Sequence, residues 1–209
     1  MSKKKYEVLD RETLFQGYFR VDRYLLRQES FAGGWSVPFT REVMDRGLRA
    51  VAVLLFDPLQ DKVVLIEQFR PGVMARREDP WLIELVAGIV ESGETNETTA
   101  HRESVEEAGC EVTELQQIMA YYPSPGCLSE FTTIYVGRTT APEDGIVMGV
   151  NEENEDIRVH VMDAAKAISL LYTHQLRDAA TIIGMQWFAL HHTDLRSRWL
   201  VSETSTPII

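Results

Sequence analysis

The chain has 209 residues, 44% of them hydrophobic and 25% charged, with a formal net charge of −11. That length suits one substantial core with room for a small appendage, and the composition is that of an ordinary globular protein. So acidic a chain is a poor match to a nucleic-acid backbone, whereas a small phosphorylated ligand stays open, because cations held by acidic side chains reverse the local sign.

Two cysteines, Cys110 and Cys127, are too few for a disulfide framework, so free thiols in a reducing, cytoplasmic compartment are expected. Lys3, Lys4 and Lys5 precede no apolar run, so neither a signal peptide nor a membrane span is expected there.

Residues 1–48 read as a small antiparallel β subdomain, with strands at 6–9, 18–26 and, beyond the Gly33-Gly34 break, 37–44. So few strands bury little alone, and this piece is expected to lie on the rest of the chain or on a second copy, giving a homodimer. Phe15, Tyr18, Phe19, Tyr24, Phe31, Trp35 and Phe39 crowd this stretch. Packing is the ordinary use of such rings; stacking on a nucleobase is the functional one.

The apolar runs 50–56 and 63–69, joined by a turn at 57–61, predict a hairpin buried on both faces and central in a sheet. Glu67 and Arg70 close its second strand, and the planar fork of Arg70 suits a phosphate or carboxylate. After a loop at 71–80, a strand at 81–87 leads to Gly88. Glu84 stands among apolar residues there, so its carboxylate needs either water at a sheet edge or a donor in a site.

In 88–110, Thr95 is an N-cap and Gly109 sits where a left-handed stop belongs, which predicts a helix of about three turns. Glu103, Glu106 and Glu107 crowd neighbouring positions of its surface. At about 5 Å and an effective dielectric near 20, each like-charged pair costs roughly 3 kcal/mol. Arg102, four residues before Glu106, offsets part of this; a divalent cation with oxygen ligands would offset the rest. The alternative is a solvated acidic face, the usual fate of such helices.

A strand at 114–120 follows, then a turn-rich loop at 121–130 holding Pro125-Gly126 and Ser129-Glu130, a strand at 131–138 and a loop at 139–150. The acidic run Asn151-Glu152-Glu153-Asn154-Glu155-Asp156 leads into a strand at 157–162 and lacks the order of a calcium loop. Helices are expected at 164–172 and 178–191, the second with a core stripe of Ile182, Ile183, Trp187 and Leu190, and His191-His192 suit its C-terminal end. Residues 202–209 read as a frayed, flexible tail.

The joint pattern of Gly88, five residues, Glu94, seven residues, Arg102-Glu103, two residues, Glu106-Glu107, one residue and Gly109 resembles the signature box of the Nudix hydrolase family. Two departures, Ser104 and Cys110, stand where the family carries bulky aliphatic side chains, and both are packing positions. The resemblance implies an α/β/α sandwich on a mixed sheet, with 49–201 as the catalytic domain, and an enzyme that hydrolyses a nucleoside diphosphate linked to another group. It implies Mg²⁺ or Mn²⁺, two or more ions, on Glu103, Glu106, Glu107 and the carbonyl of Ala87. Glu153 matches the catalytic carboxylate of the ADP-ribose branch, Arg102 orients the helix carboxylates and Glu94 the box loop.

For that branch, Glu67, Arg70, Pro125, Gly126, Ser129 and Glu130 match substrate contacts, and Tyr18 and Arg41 match positions that hold adenine across a dimer interface. Where relatives carry a second glycine and a small polar residue, Cys127 and Leu128 stand. The expected reaction is cleavage of ADP-ribose to AMP and ribose 5-phosphate. A GDP-mannose or other sugar-nucleotide pyrophosphatase is the alternative, since the stretch from Arg41 to Gly47 fits that branch too; a non-catalytic ADP-ribose sensor would be expected to have lost box carboxylates. Neither nucleic acid nor membrane is an expected partner.

Overall fold

The computed structural model describes residues 3–45, 49–150, 152 and 154–204. They fall into two units, 1–49 with 122–131, and 50–121 with 132–209.

The first unit is built on β1 (Tyr6–Gln16), β2 (Arg20–Gln28) and β3 (Phe39–Asp45), antiparallel in that order. β1 runs well past the expected 6–9. Asp10, Arg11 and Glu12 break the apolar alternation by which a strand is recognised, but partners on β2 sustain it: Arg11 bonds Asp22 at 2.6 Å. Asp22 is fully buried and also receives hydrogen bonds from Thr13 at 2.7 Å and Arg20 at 2.9 Å. In the segment 122–131 the carbonyl of Ser124 accepts from the amides of Cys127 and Leu128, making a turn, and Leu128 bridges Met44 at the end of β3.

The second unit holds β4 (Arg49–Asp57), β5 (Lys62–Phe69), α1 (Pro71–Met74), β6 (Trp81–Glu84), β7 (Val86–Ile89), α2 (Asn96–Ala108), β8 (Glu114–Tyr121), β9 (Phe131–Arg138), β10 (Val147–Met148), β11 (Ile157–Asp163), α3 (Ala164–Tyr172) and α4 (Ala179–Thr204). Its mixed eight-stranded sheet runs β10-β11-β5-β4-β9-β8, with β6 on β5 and β7 on β4. The expected hairpin is central, and every residue from Val51 to Phe56 is fully buried.

Period-two alternation divides those buried residues between two layers. Ala52, Leu54 and Phe56 pack with Leu170 of α3 and Phe188, Leu195 and Trp199 of α4. Val51, Val53 and Leu55 pack with Ala100 and Ala108 of α2. This is the expected α/β/α sandwich.

Three expectations shift. The strand read at 81–87 is two strands, because the Leu85 amide leaves the ladder and donates to Thr181 Oγ1 at 3.0 Å. Helix α4 continues past 191, with Leu195 and Trp199 extending its buried stripe, and its backbone is helical to Thr204; 205–209 lie outside the described residues. The loop at 139–150 includes β10, paired antiparallel with β11. Among the described residues, no helix is long and apolar enough to cross a membrane.

The break at Leu85 opens the sheet. β4 and β5 pair only where Leu55–Asp57 meets Lys62–Val64; beyond that β5 takes β6 and β4 takes β7. Helix α2 packs on β7 at this opening.

Candidate active site

Thr95 opens α2 with a capping box: its Oγ1 accepts the Thr98 amide at 3.1 Å while Thr98 Oγ1 accepts the Thr95 amide at 2.8 Å. Gly109 ends it in the left-handed region at φ 63°, as expected. Ser104 and Cys110 are both fully buried. Ser104 Oγ donates to the Ala100 carbonyl at 2.7 Å, so the shorter side chain satisfies itself on its own helix. Burial pushes the Cys110 thiol up to about 11, which keeps it a neutral core group. Both cysteines are free.

The acidic residues of α2 are not a solvated face. Glu107 is 2% exposed and accepts the Ala87 amide on Oε2 at 2.9 Å. Within a strand the N–H and C=O of one residue point the same way, so the Ala87 carbonyl is also directed away from β4 and toward the side of Glu107. The Glu103 carboxylate lies on the Cα of Gly88, where any side chain at 88 would overlap it. That close approach is why a glycine is required.

Arg102 spans the group. It donates to Glu94 at 3.0 Å and to Glu103 and Glu106 at 2.8 Å each. Hydrogen bonds from Arg102 and Thr99 hold Glu94 down at about 2. Glu103 and Glu107 behave oppositely. Burial pushes Glu103 up to about 7 despite Arg102, with Glu106 and Glu155 adding repulsion. Burial likewise drives Glu107 to about 8 despite the Ala87 amide, with Glu103 and Glu155 adding to it.

Glu155 is a further neighbour in this field. Glu155 Oε2 accepts the Val150 amide at 3.1 Å, and the Gly149 amide donates to the Glu106 carbonyl at 3.1 Å, tying this segment to α2. Gly149 has φ 110°, and a Cβ there would come 2.7 Å from that of Glu155. Glu152 is exposed, and Glu153 lies outside the described residues.

Arg70 and Glu84 form an ion pair at 2.6 Å, with Glu84 only 4% exposed. The solvent-edge reading of Glu84 is therefore wrong. Burial raises its carboxyl above the ordinary range although Arg70 opposes this. The charge of Glu107 acts on Arg70, which places the pair near α2.

Glu67 does not join them. It shares the sheet face of Leu65, toward α3 and α4, and pairs with His160 at 2.9 Å.

The remaining predicted residues belong to the first unit. Tyr18 is 77% exposed with its ring edge-on to Phe19 at 4.9 Å. Arg41 lies over the Phe39 ring at 4.7 Å and donates to the Thr40 carbonyl. Pro125 and Gly126 form the exposed turn after Ser124; Ser129 Oγ donates to Asp45 at 2.5 Å, and Glu130 is partly buried.

The family profile described as NUDIX domain matches residues 47–193. The chain belongs to the Nudix family. It is 42% identical over 197 residues to the ADP-ribose pyrophosphatase of Escherichia coli K12, covering 94% of both chains. It is 37% identical over 201 residues to the Haemophilus influenzae ADP-ribose pyrophosphatase, covering 95% of this chain and 92% of that one. The GDP-mannose pyrophosphatase of Yersinia pestis is 30% identical over 188 residues, covering 90% and 93%. A crystal structure of an ADP compounds hydrolase superposes with a TM-score of 0.68 at 18% identity, covering 99% of this chain and all of that one, which supports the shared fold.

Members of this family generally use divalent ions. Among the described residues no three acidic, histidine or cysteine side chains already converge as a closed cage, since Arg102 holds Glu103 and Glu106. The Nudix helix nevertheless fits such an ion in kind. Its donors are hard oxygens, and burial, with lesser repulsion from neighbouring carboxylates, keeps Glu103 and Glu107 above the ordinary range despite the protein's own donors.

Proposed function

We propose that this Nudix protein hydrolyses the diphosphate of ADP-ribose, giving AMP and ribose 5-phosphate, with Mg²⁺ or Mn²⁺ as its ion. The observation that carries this reading is the cluster of carboxylates on α2, with Glu107 buried against the Ala87 amide and the partly buried Glu103 packed on Gly88, and the identity to ADP-ribose pyrophosphatases supplies the substrate.

In this reading Glu103, Glu107 and the Ala87 carbonyl would hold one ion and Glu106 would serve a second. Divalent ions bound there would neutralise diphosphate oxygens and acidify water. Arg102 keeps the glutamates oriented and Glu94 fixes Arg102. Water attacks one phosphorus, the bond from that phosphorus to the bridging oxygen breaks, and Glu153 takes the water's proton. Arg70, held by Glu84, presents guanidinium charge to the phosphates. Tyr18 and Arg41 offer a ring and a planar cation for adenine, and the 125–130 turn serves the sugar.

The exposed apolar side chains Tyr6, Val8, Phe15 and Tyr18 support a homodimer formed through residues 1–48, with 49–201 as the catalytic domain. Two free thiols fit a cytoplasmic setting.

GDP-mannose is the second candidate substrate, favoured by the 30% identical relative. Part of its supporting segment, residues 46–47, lies outside the described residues. Incubating the protein and Mg²⁺ with ADP-ribose, GDP-mannose and other nucleoside diphosphate sugars, then separating the products, decides between them. AMP with ribose 5-phosphate is expected. GMP with mannose 1-phosphate as the faster product would replace the substrate, and tight binding of ADP-ribose without cleavage would make the protein a sensor.

A further inference from the structure

Strand β5 is apolar and fully buried from Val63 to Ile66, yet Gln68, only 8% exposed, stands at its far end. The Gln68 Nε2 is buried and has no hydrogen-bond partner among the described residues. Leaving a buried donor unpaired is destabilising, and a methionine or leucine at 68 would avoid that. The register says which way this donor faces. Ile66 lies opposite Glu84, and Gln68 opposite Leu82, so Gln68 shares the sheet face of Ile66 and Glu84. Ile66 packs in the layer of α2, whereas Glu67 faces the other layer with His160. Arg158 stands opposite Glu67 at the end of the pairing between β5 and β11, so Gln68 lies just beyond it.

We infer that Gln68 is a substrate-contacting residue whose side-chain amide donates a hydrogen bond to an oxygen of the diphosphate-linked sugar. This rests on the hydrolase reading above and assigns to Gln68 the contact that the sequence pattern had given to Glu67. A neutral donor on the face of α2 complements Arg70, which follows it by two residues and is engaged by Glu84. It adds directional recognition without further charge.

The test measures kcat and KM for ADP-ribose with Mg²⁺, together with the ligand-free Tm, in wild type, Gln68→Met, Gln68→Asn and Gln68→Glu. Gln68→Met removes the donor at similar volume and raises KM about tenfold, the equivalent of one lost hydrogen bond, while Tm stays level or rises. Gln68→Asn, which withdraws the amide by one methylene, falls between wild type and Gln68→Met. Gln68→Glu, which turns the donor into a charged acceptor, loses most. A Gln68→Met protein with kcat and KM within about twofold of wild type, or with a lower Tm and unchanged KM, overturns the inference and leaves the hydrolase reading standing. A wild-type protein that cleaves no sugar nucleotide overturns that reading and this inference with it.

Discussion

The first unit and helix α2 both bury a carboxylate, and they treat it in opposite ways. In the first unit Asp22 is fully buried. Burial alone would raise its carboxyl, but hydrogen bonds from Thr13 and Arg11 and the charges of Arg11 and Arg20 outweigh that and hold it below the ordinary range. On α2, Arg102 must serve Glu94, Glu103 and Glu106 together, while Glu107 accepts the Ala87 amide, and burial leaves Glu103 and Glu107 well above the ordinary range. A carboxylate whose partners are all supplied by the fold is structural. One that the fold buries without cancelling its charge is poised for a cation from outside.

The largest effect expected from this contrast is on Glu107→Gln. Its kcat/KM for ADP-ribose should fall at least about a hundredfold, since even groups behind a metal ligand cost ten- to a hundredfold, while its Tm at pH 8 without divalent ions rises. A loss of both activity and stability would mean that Glu107 is an ordinary buried partner. Gly88→Ala comes next, because its methyl falls inside the Glu103 carboxylate; displacing that group should lower kcat/KM by about tenfold to a hundredfold. Steady-state kinetics alongside circular dichroism separates this from unfolding.

The third effect is thermal. The Glu107 carboxyl is raised from an ordinary 4.5 to about 8, so the unfolded chain releases this proton at lower pH than the folded one. The stability tied to that proton is complete below pH 4.5 and is lost as pH rises through about 8. Without divalent ions, Tm should therefore decline across this window, with Glu103 contributing up to about 7, and added Mg²⁺ should raise Tm more at pH 8 than at pH 5. Equal Mg²⁺ shifts at both pH values would break the contrast. In the first unit, Asp22→Asn should lower Tm in calorimetry and leave kcat unchanged. Smallest is Thr95→Ala, which removes the capping box and should cost about 1 kcal/mol in denaturant unfolding.

Much of α2 was legible because its signals are local: a cap at Thr95, a stop at Gly109 and an ion pair four residues apart. The central hairpin was legible for the same reason, as unbroken apolar runs. What depended on partners distant in sequence was not. Glu84 stayed open between a solvent edge and a site, because its partner Arg70 stands on another strand end. Glu67 and Gln68 could be told apart only once the layer covering each face of β5 was known, since alternation gives two faces without saying which one is the site. The length of β1 was hidden because charged residues paired across strands carry no apolar period. Helix α4 was cut short because His191-His192 suit a C-terminal end, while Leu195 and Trp199 continue its buried stripe.

The most direct measurement follows phosphorus NMR of ADP-ribose incubated with Mg²⁺ and either wild-type protein or Glu107→Gln. In the wild-type sample the diphosphate signals should give way to two monophosphate signals, and in the variant they should persist. Equal conversion by both proteins, or none by either, would contradict the claim that the buried charge on α2 serves diphosphate hydrolysis.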